Sequence, residues 1–382
     1  MPPSVALLIE TSNAYARELL RGIRNYVQEH GPWSIYLGEQ ARGEAAPLWL
    51  RRWRGNGVIA RIETQSIART LKSLKIPVVD VSAARYVESV PYAETDDAAI
   101  AQAAIDHLRD RGFRELAFCG DARFRWSNNR EQSFRDIAIS LGASHHVLPR
   151  GRRRDTEPSW EQERKRLTTW IESLPRPVGI MAAYDIRGRQ VLDVCRDLGV
   201  HVPDEVAVIG VDNDELLCDF ASPSLSSVMP NAARTGYEAA ALLDRMLQGE
   251  RVTAEAILIP PLGVVTRGST DVLAIDDPDV SAAVRYIREH ALSAIDVSDV
   301  LAAVPLSRRK LEARFKVLLG RTPHEEIQRV KIDHVKRLLA GTDLTLEAIA
   351  HRTGYKHVEY MCVVFKRATG QTPGRYRLEQ RT

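Results

Sequence analysis

Across residues 1–270 the chain alternates short apolar runs with amphipathic stretches of helical period. Residues 5–9, 58–62, 77–82, 116–120, 179–184 and 206–211 read as strands, because apolar residues dominate each run and polar segments bound it. Between them, residues 15–30 place Leu19, Leu20, Ile23 and Val27 on one side of a helix, and 98–111, 130–141 and 188–198 repeat the helical pattern. This alternation predicts an α/β fold, a mainly parallel sheet with helices on both faces, whose ligands bind beyond the carboxyl ends of the strands. After Pro260-Pro261 and a polar stretch from Gly268 to Pro278 the strand pattern stops. The expected division is residues 1–270, a linker at 271–279 and an all-α segment at 280–382.

That last segment carries an internal repeat. Phe315-Lys316-x-x-x-Gly320-x-Thr322-Pro323 recurs as Phe365-Lys366-x-x-x-Gly370-x-Thr372-Pro373. Upstream of each copy lies a short apolar helix, at 296–304 and 345–353, that begins at a capping residue and has an acid in its first turn. Tight turns follow at Pro305-Leu306 and Gly354-Tyr355, then second helices at 308–319 and 358–369 that bury Leu311, Phe315 and Leu318, or Met361, Val364 and Phe365. Two short helices joined by a tight turn form a helix-turn-helix, whose second helix enters the major groove of DNA. The units span about 296–319 and 345–369, joined by a long helix at 323–339.

Composition narrows the classes. A chain of 382 residues that is 44% hydrophobic can bury the cores of two or three domains. From Asp279 onward there are 19 Lys and Arg against 12 Asp and Glu, while the remainder has 34 against 38, so the basic excess sits where a polyanion is expected. The N-terminus lacks a basic signal-peptide start and no apolar run is long enough to span a bilayer, so a cytoplasmic protein without membrane contact is expected. Cys119, Cys195, Cys218 and Cys362 are far apart and His145-His146 are adjacent, which suggests neither a zinc site nor a disulfide framework; no metal or cofactor is expected. Without a Walker A, G-x-S-x-G or H-E-x-x-H motif, no enzyme chemistry is supported. The basic clusters at 51–54 and 150–155 read as solvated loops.

From about Val280 to Arg377 the chain resembles the AraC/XylS family of regulators. Leu311, Phe315, Gly320 and Pro323 carry the likeness in the first unit, Ile332 and Leu338-Leu339 in the connecting helix, and Ile349-Ala350, Gly354-Tyr355, Phe365-Lys366, Gly370, Pro373 and Tyr376-Arg377 in the second. Pro305 stands where that family usually has Gly, and Lys331 and Val335 where Arg and Ala are usual. Residues 1–270 resemble the LacI/GalR type of periplasmic-binding-protein fold. Sensor first and helix-turn-helix last is an order similar to that of xylose-responsive regulators, a likeness carried by Gly210 to Leu216, Pro260-Pro261-Leu262 with Arg267 to Asp271, and Trp126 to Arg135. The resemblance implies a two-lobed, type I sensor, roughly 4–112 with 224–250 and 113–223 with 251–268. It further implies a homodimer, a small carbohydrate effector, targets in sugar-utilisation operons, and RNA polymerase as partner if the output is activation.

Candidate residues follow from these readings. In the first unit Ser307, Arg308, Arg309, Glu312 and Ala313 are placed to reach base edges: Arg309 can donate twice to guanine and Glu312 can accept from cytosine. His357, Glu359, Cys362 and Val363 are their less basic counterparts, and Arg314, Lys316, Lys366 and Arg367 suit phosphate or structure. A sugar pocket needs carboxylates and amides for vicinal hydroxyls, an Arg, and an aromatic face. Asp212 and Asn213 after the strand at 206–211, Asp185, Arg130 and Trp126, with Asn13, Tyr15, Arg17 and Glu88, are the candidates, and helix capping or cleft packing competes for several of them. A solute-binding protein or a sugar-modifying enzyme with an appended helical domain are the rival readings.

Overall fold

The structure, a computed structural model, describes residues 2–38, 44–150, 159–252, 255–271, 277–342 and 344–381. The centre of the expected linker and most of the basic run at 150–155 lie outside these residues. Two compact units make up the chain, Met1–Val272 and Leu273–Thr382.

Among the described residues the first unit contains twelve strands in two sheets: β1 (Ser4–Leu8), β2 (Ser34–Leu37), β3 (Gly57–Ala60), β4 (Val78–Asp80), β5 (Tyr92–Thr95), β6 (Glu115–Cys119), β7 (Ser144–Val147), β8 (Val178–Ala182), β9 (Val206–Val211), β10 (Ser226–Met229), β11 (Ala256–Ile259) and β12 (Gly263–Val265). One sheet runs β11-β5-β4-β3-β1-β2, wholly parallel; the other runs β12-β10-β9-β8-β6-β7, parallel except for β12. Each is a lobe, and the chain passes between them after β5, after β10 and after β11. The expected lobe boundaries are therefore corrected: residues 226–229 belong to the second sheet and 256–259 to the first. Strand β10 escapes an apolar pattern because it opens with Ser226 and Ser227, both fully buried and hydrogen-bonded through their hydroxyls. Strands β2, β5, β7, β11 and β12 are too short to show a clear period.

Helices cover the sheets, as alternation requires. Ala14–His30 and Ala232–Leu247, far apart in sequence, pack backbone to backbone on the first lobe. A Cβ on Gly22 would lie 1.8 Å from the Ala233 carbonyl oxygen and one on Gly236 2.0 Å from that of Leu19, so only glycine permits the approach. Two helix starts depart from expectation. The helix Arg125–Ser140 begins ahead of residue 130, which puts Trp126 in its first turn and Arg130 in its second. Asp185 opens the helix Asp185–Asp197 instead of ending a strand. The segment Gly268–Thr270, expected to begin a polar connection, is a short 3-10 turn with Ser269 and Thr270 buried in the second lobe.

The second unit is all helix: Pro278–His290, Val297–Ala303, Arg308–Leu319, Pro323–Gly341, Leu346–Arg352, Val358–Thr369 and Pro373–Arg381. The repeated motif consists of stop and start signals. Gly320 and Gly370 take left-handed backbone (φ 69° and 79°) to end the two recognition helices, Thr322 caps the next helix reciprocally with Glu325, and Pro323 occupies its first turn. The connector Pro323–Gly341 contributes Ile327 to a core with Val284, Leu311 and Phe315, and Ile332, Val335 and Leu339 to another with Ile349, Met361 and Phe365. Leu319, not Leu318, is the third buried residue of the first recognition helix, and Val364 is only half-buried.

The two turns differ, and Pro305 explains why. Proline holds φ near −65°, and residues 304–307 turn with no left-handed residue, Val304 and Ser307 being extended. The second turn uses Gly354 at φ 69°, whose Cβ would come 2.7 Å from the Leu292 carbonyl oxygen and 2.8 Å from the Ala294 amide nitrogen. Lys331 secures that turn from the connector: Nζ donates to the Gly354 carbonyl at 3.0 Å and lies 5.2 Å from the centre of the Tyr355 ring. Gly320 and Gly354 share a conformation but not surroundings, since nothing lies near a Cβ on Gly320. Gly320→Ala should cost about 1 kcal/mol, the left-handed penalty alone. Gly354→Ala should cost clearly more, as measured by urea unfolding, because fixed backbone must also shift.

Candidate effector cleft and DNA-reading helices

Strand-end loops of both lobes meet in the first unit. Beyond β9, Asp212 (φ 105°) and Asn213 (φ 48°) occupy consecutive left-handed conformations, which cost free energy in a non-glycine residue and persist only when surroundings enforce them. The enforcement is visible: the Asp212 amide donates to the Val228 carbonyl (3.1 Å), that of Asn213 to Ser227 Oγ (3.0 Å) and that of Asp214 to Asp185 Oδ2 (2.7 Å). Asp185 also accepts from Ser227 Oγ at 2.6 Å. Burial, then the charge of Asp212, pushes its carboxyl well above the usual range. It lines the cleft, but both its oxygens brace the loop.

Arg130 is the buried cation of the cleft. Its Nε donates to Asp97 Oδ1 (2.7 Å), its Nη1 to the Ala183 carbonyl (2.6 Å), and its guanidinium carbon sits 5.1 Å from the centre of the Trp126 indole. Burial opposes its charge, but Asp97 and then Asp212 hold its pKa above the ordinary value. Trp126 stacks on Phe124 (5.3 Å, 16°) and meets Tyr184 edge-on. From the first lobe, Asn13 caps the helix Ala14–His30 and donates from Nδ2 to Glu10 (3.0 Å), while the buried Tyr15 hydroxyl donates to Glu94 Oε1 (3.1 Å).

Two cavities open here. One of about 460 Å³ is lined by Asn13, Phe124, Tyr184, Asp185 and Asp212; one of about 330 Å³ is lined by Glu63, Phe124, Trp126 and Asn128. Both are of a size for a small ligand. Neither lining includes Arg130, Asn213 or Tyr15, and two further candidates are turned to solvent: Arg17 is exposed with Nη1 on the Thr11 carbonyl, and Glu88 is exposed in the loop after β4. Sequence reasoning missed a buried charge cluster at the strand ends of the first lobe: Arg61 pairs with Glu10 and with Glu63, beside Glu94 and Asp97. Charge placed directly after an apolar strand was the signal that could have found Glu10 and Arg61.

In the second unit the recognition helices expose unlike surfaces. Arg309, Lys310, Ala313, Lys316 and Val317 point outward from Arg308–Leu319, and Ser307 caps it by position without a side-chain bond. Arg308 pairs with Glu312 at 3.0 Å, which occupies the carboxylate expected to accept from cytosine. Arg314 is paired with Asp277 and Asp279. In Val358–Thr369 Glu359, Tyr360, Val363, Lys366, Arg367 and Ala368 are exposed, with Cys362 half-buried and His357 at the exposed start. Lys310 and Tyr360 were not anticipated.

Residues 4–101 match a XylR N-terminal domain, 105–270 a periplasmic binding protein-like domain and 300–379 a helix-turn-helix domain. The xylose operon regulatory protein of Escherichia coli (strain K12) is 36% identical over 98% of this chain and 96% of its own length; that of Haemophilus influenzae is 33% identical over 98% of each. The chain belongs to the xylose operon regulatory protein family. Among solved structures, that of the xylose-binding transcription activator XylR superposes with a TM-score of 0.80 at 35% identity, covering 99% of this chain and 98% of that one. The CelR–cellobiose complex, at 20% identity and TM-score 0.57, covers 70% of this chain and 84% of its own and shares the fold of the sensor. This family member is a sugar-responsive, DNA-binding transcription regulator with an α/β sensor of periplasmic-binding-protein type and a C-terminal pair of AraC-type helix-turn-helix units. Among the described residues, no helix is long and apolar enough to cross a membrane.

Burial raises the Asp80 carboxyl to about 7 and that of Glu94 to about 8. A carboxyl that binds its proton more tightly folded than unfolded makes the folded state lose stability as pH rises from the unfolded value, near 4, through the folded one. The sensor's melting temperature should fall between about pH 5 and 8, and Asp80→Asn should flatten that fall while keeping an oxygen for the Ile62 and Ser82 amides.

Proposed function

We propose that a pentose, xylose foremost, binds in the cleft around Asp212 and Arg130 and controls how the C-terminal units engage operator DNA. The observation that carries this is that one relative, a regulator of a xylose operon, aligns with sensor and reading unit together over 98% of the chain. The cleft has the chemistry for it: Asp212 and Asn13 to pair with hydroxyls, Arg130 to orient carboxylates, and Phe124 with Trp126 to face the apolar side of a sugar ring. Asn213 and Asp185 support the loop, and Tyr15 the floor beneath it.

The regulator acts in the cytoplasm as a homodimer, so that two copies read two half-sites, and it activates through contact with RNA polymerase. A sugar shifts the operator equilibrium only by binding one arrangement of the lobes better than another. It is bound, not converted; turnover of xylose by the purified protein would overturn this. Arg308–Leu319 supplies most of the base readout through Arg309, and Val358–Thr369 supplies less, through His357, Glu359 and Val363, with Lys316, Lys366 and Arg367 on phosphate.

Two experiments test the reading. In a thermal-shift screen of pentoses and hexoses, xylose should raise the melting temperature of the wild type, a hundredfold excess over Kd contributing about 2.7 kcal/mol. Asp212→Asn, which keeps a side chain tolerant of positive φ, should lose most of the shift; an undiminished shift would remove Asp212 from the site. Arg309→Ala should weaken binding to a selected operator by about 1–3 kcal/mol and relax preference at one base pair. An equal loss on all sequences would make Arg309 a phosphate contact.

A further inference from the structure

The first recognition helix buries Leu311, Phe315 and Leu319 and turns Arg309, Ala313 and Lys316 outward. At about 100° per residue, Arg314 falls on the flank between these faces, where a helix lying in the major groove meets the phosphate backbone. That flank adjoins the start of Pro278–His290. Arg314 Nη1 lies 3.0 Å and 3.2 Å from the two carboxylate oxygens of Asp277 and 3.2 Å from Asp279 Oδ2. Asp277 is held there as the helix cap, accepting from the Asp279 and Val280 amides. Two carboxylates meet one guanidinium, which leaves a net negative charge on the flank. Arg314 remains 41% exposed, and its Nε and Nη2 make no hydrogen bond to described residues.

We propose that Asp277 and Asp279 form an autoinhibitory contact, holding Arg314 away from a DNA phosphate that must displace them. The proposal rests on the reading of Arg308–Leu319 as a groove-binding helix. The carboxylates engage Nη1 and hold the guanidinium toward the start of Pro278–His290, and they add repulsion to the approaching backbone. Among the described residues, Arg314 is the one basic residue of this helix that pairs with two acids, whereas Arg308 pairs with Glu312. Releasing Arg314 therefore adds one phosphate contact and removes one repulsive site.

The test is a double-mutant cycle on the full chain, with a duplex selected from a random pool for wild-type binding. Asp277→Asn with Asp279→Asn removes both charges while asparagine still caps the helix. Binding should tighten, and the slope of log K against log salt should steepen by about 0.9, so that the gain shrinks about threefold to fourfold between 50 and 200 mM salt. Arg314→Gln should change wild-type binding little, whereas added to the doubly neutralised variant it should cancel the Arg314 share of the gain and leave only the part due to lost repulsion. Equal cost of Arg314→Gln in both backgrounds, or no tightening without the acids, would overturn the contact. Asp279→Asn alone, which leaves the cap residue untouched, gives the same discrimination if the double variant does not fold. Failure of the wild type to select any duplex would instead overturn the functional reading, and the contact with it.

Discussion

The buried guanidinium of Arg130 is the interaction on which the effector cleft depends. It joins the start of the helix Asp97–Asp110, through Asp97, to the end of β8, through the Ala183 carbonyl, and it lies in the field of Asp212 beyond β9. Removing a charge from water is expensive, and such a group is tolerated only when its partners are in place. Deleting it would strand the buried Asp97 carboxylate and leave Asp212 and Asp185 to repel one another. The positive φ angles at Asp212 and Asn213 belong to the same arrangement: the loop is strained into a shape that presents Asp212, and Asp185 and Ser227 hold it there.

The DNA-reading unit is organised by a different constraint, the placement of helix ends. A left-handed glycine, a capping threonine and a proline, spaced identically in both copies, stop each recognition helix and start the next. Because the connector is shared by both cores, the spacing between the two reading helices is set by one rigid element. Buried charged groups reinforce it near its start and at its middle. Glu326, fully buried, receives Arg329 and Arg321 near the start, and Lys331, at the middle, grips the Gly354-Tyr355 turn. The substitution of Lys for the more usual Arg is therefore accommodated by a single carbonyl acceptor and an aromatic face, which ask for a point charge and not for a fork.

How much of this was legible follows from which signals are local. Helix caps, glycine stops and strand periods are written in adjacent residues, so the double helix-turn-helix and the α/β alternation could be read directly, and Pro305 stood out in sequence at the turn that departs. Lobe membership could not be read, since it depends on where the chain crosses, and β10 hides behind two serines whose hydroxyls donate to residues some forty positions away. The same reason separates the site residues. Asp212 announces itself at the end of an apolar strand. Arg61 with Glu10, or Asp97 with Arg130, acquires meaning only from a partner that sequence distance conceals, and Glu88 looked eligible until the loop after β4 carried it out to solvent.

The helix Asp97–Asp110 ties these observations together. Its first turn holds Asp97 against Arg130 in the cleft, and its last turn holds His107, whose Nε2 meets Thr270 Oγ1 at 2.7 Å. Just beyond, Arg111 reaches the Thr270 carbonyl and Thr266 Oγ1. Burial keeps His107 neutral, its pKa lowered to about 3, so this attachment is a hydrogen bond that does not respond to physiological pH. At 1.5 Å per residue the helix is roughly 20 Å long. The segment 267–270, from which the chain leaves the sensor, is thus fastened to the far end of the element whose near end forms the cleft. Ser269 locks it further, donating to the Val208 carbonyl on β9, the strand that leads to Asp212. Departure point and effector loop are consequently tied into the same lobe, by hydrogen bonds to the helix Asp97–Asp110, to Arg111 just beyond it and to β9.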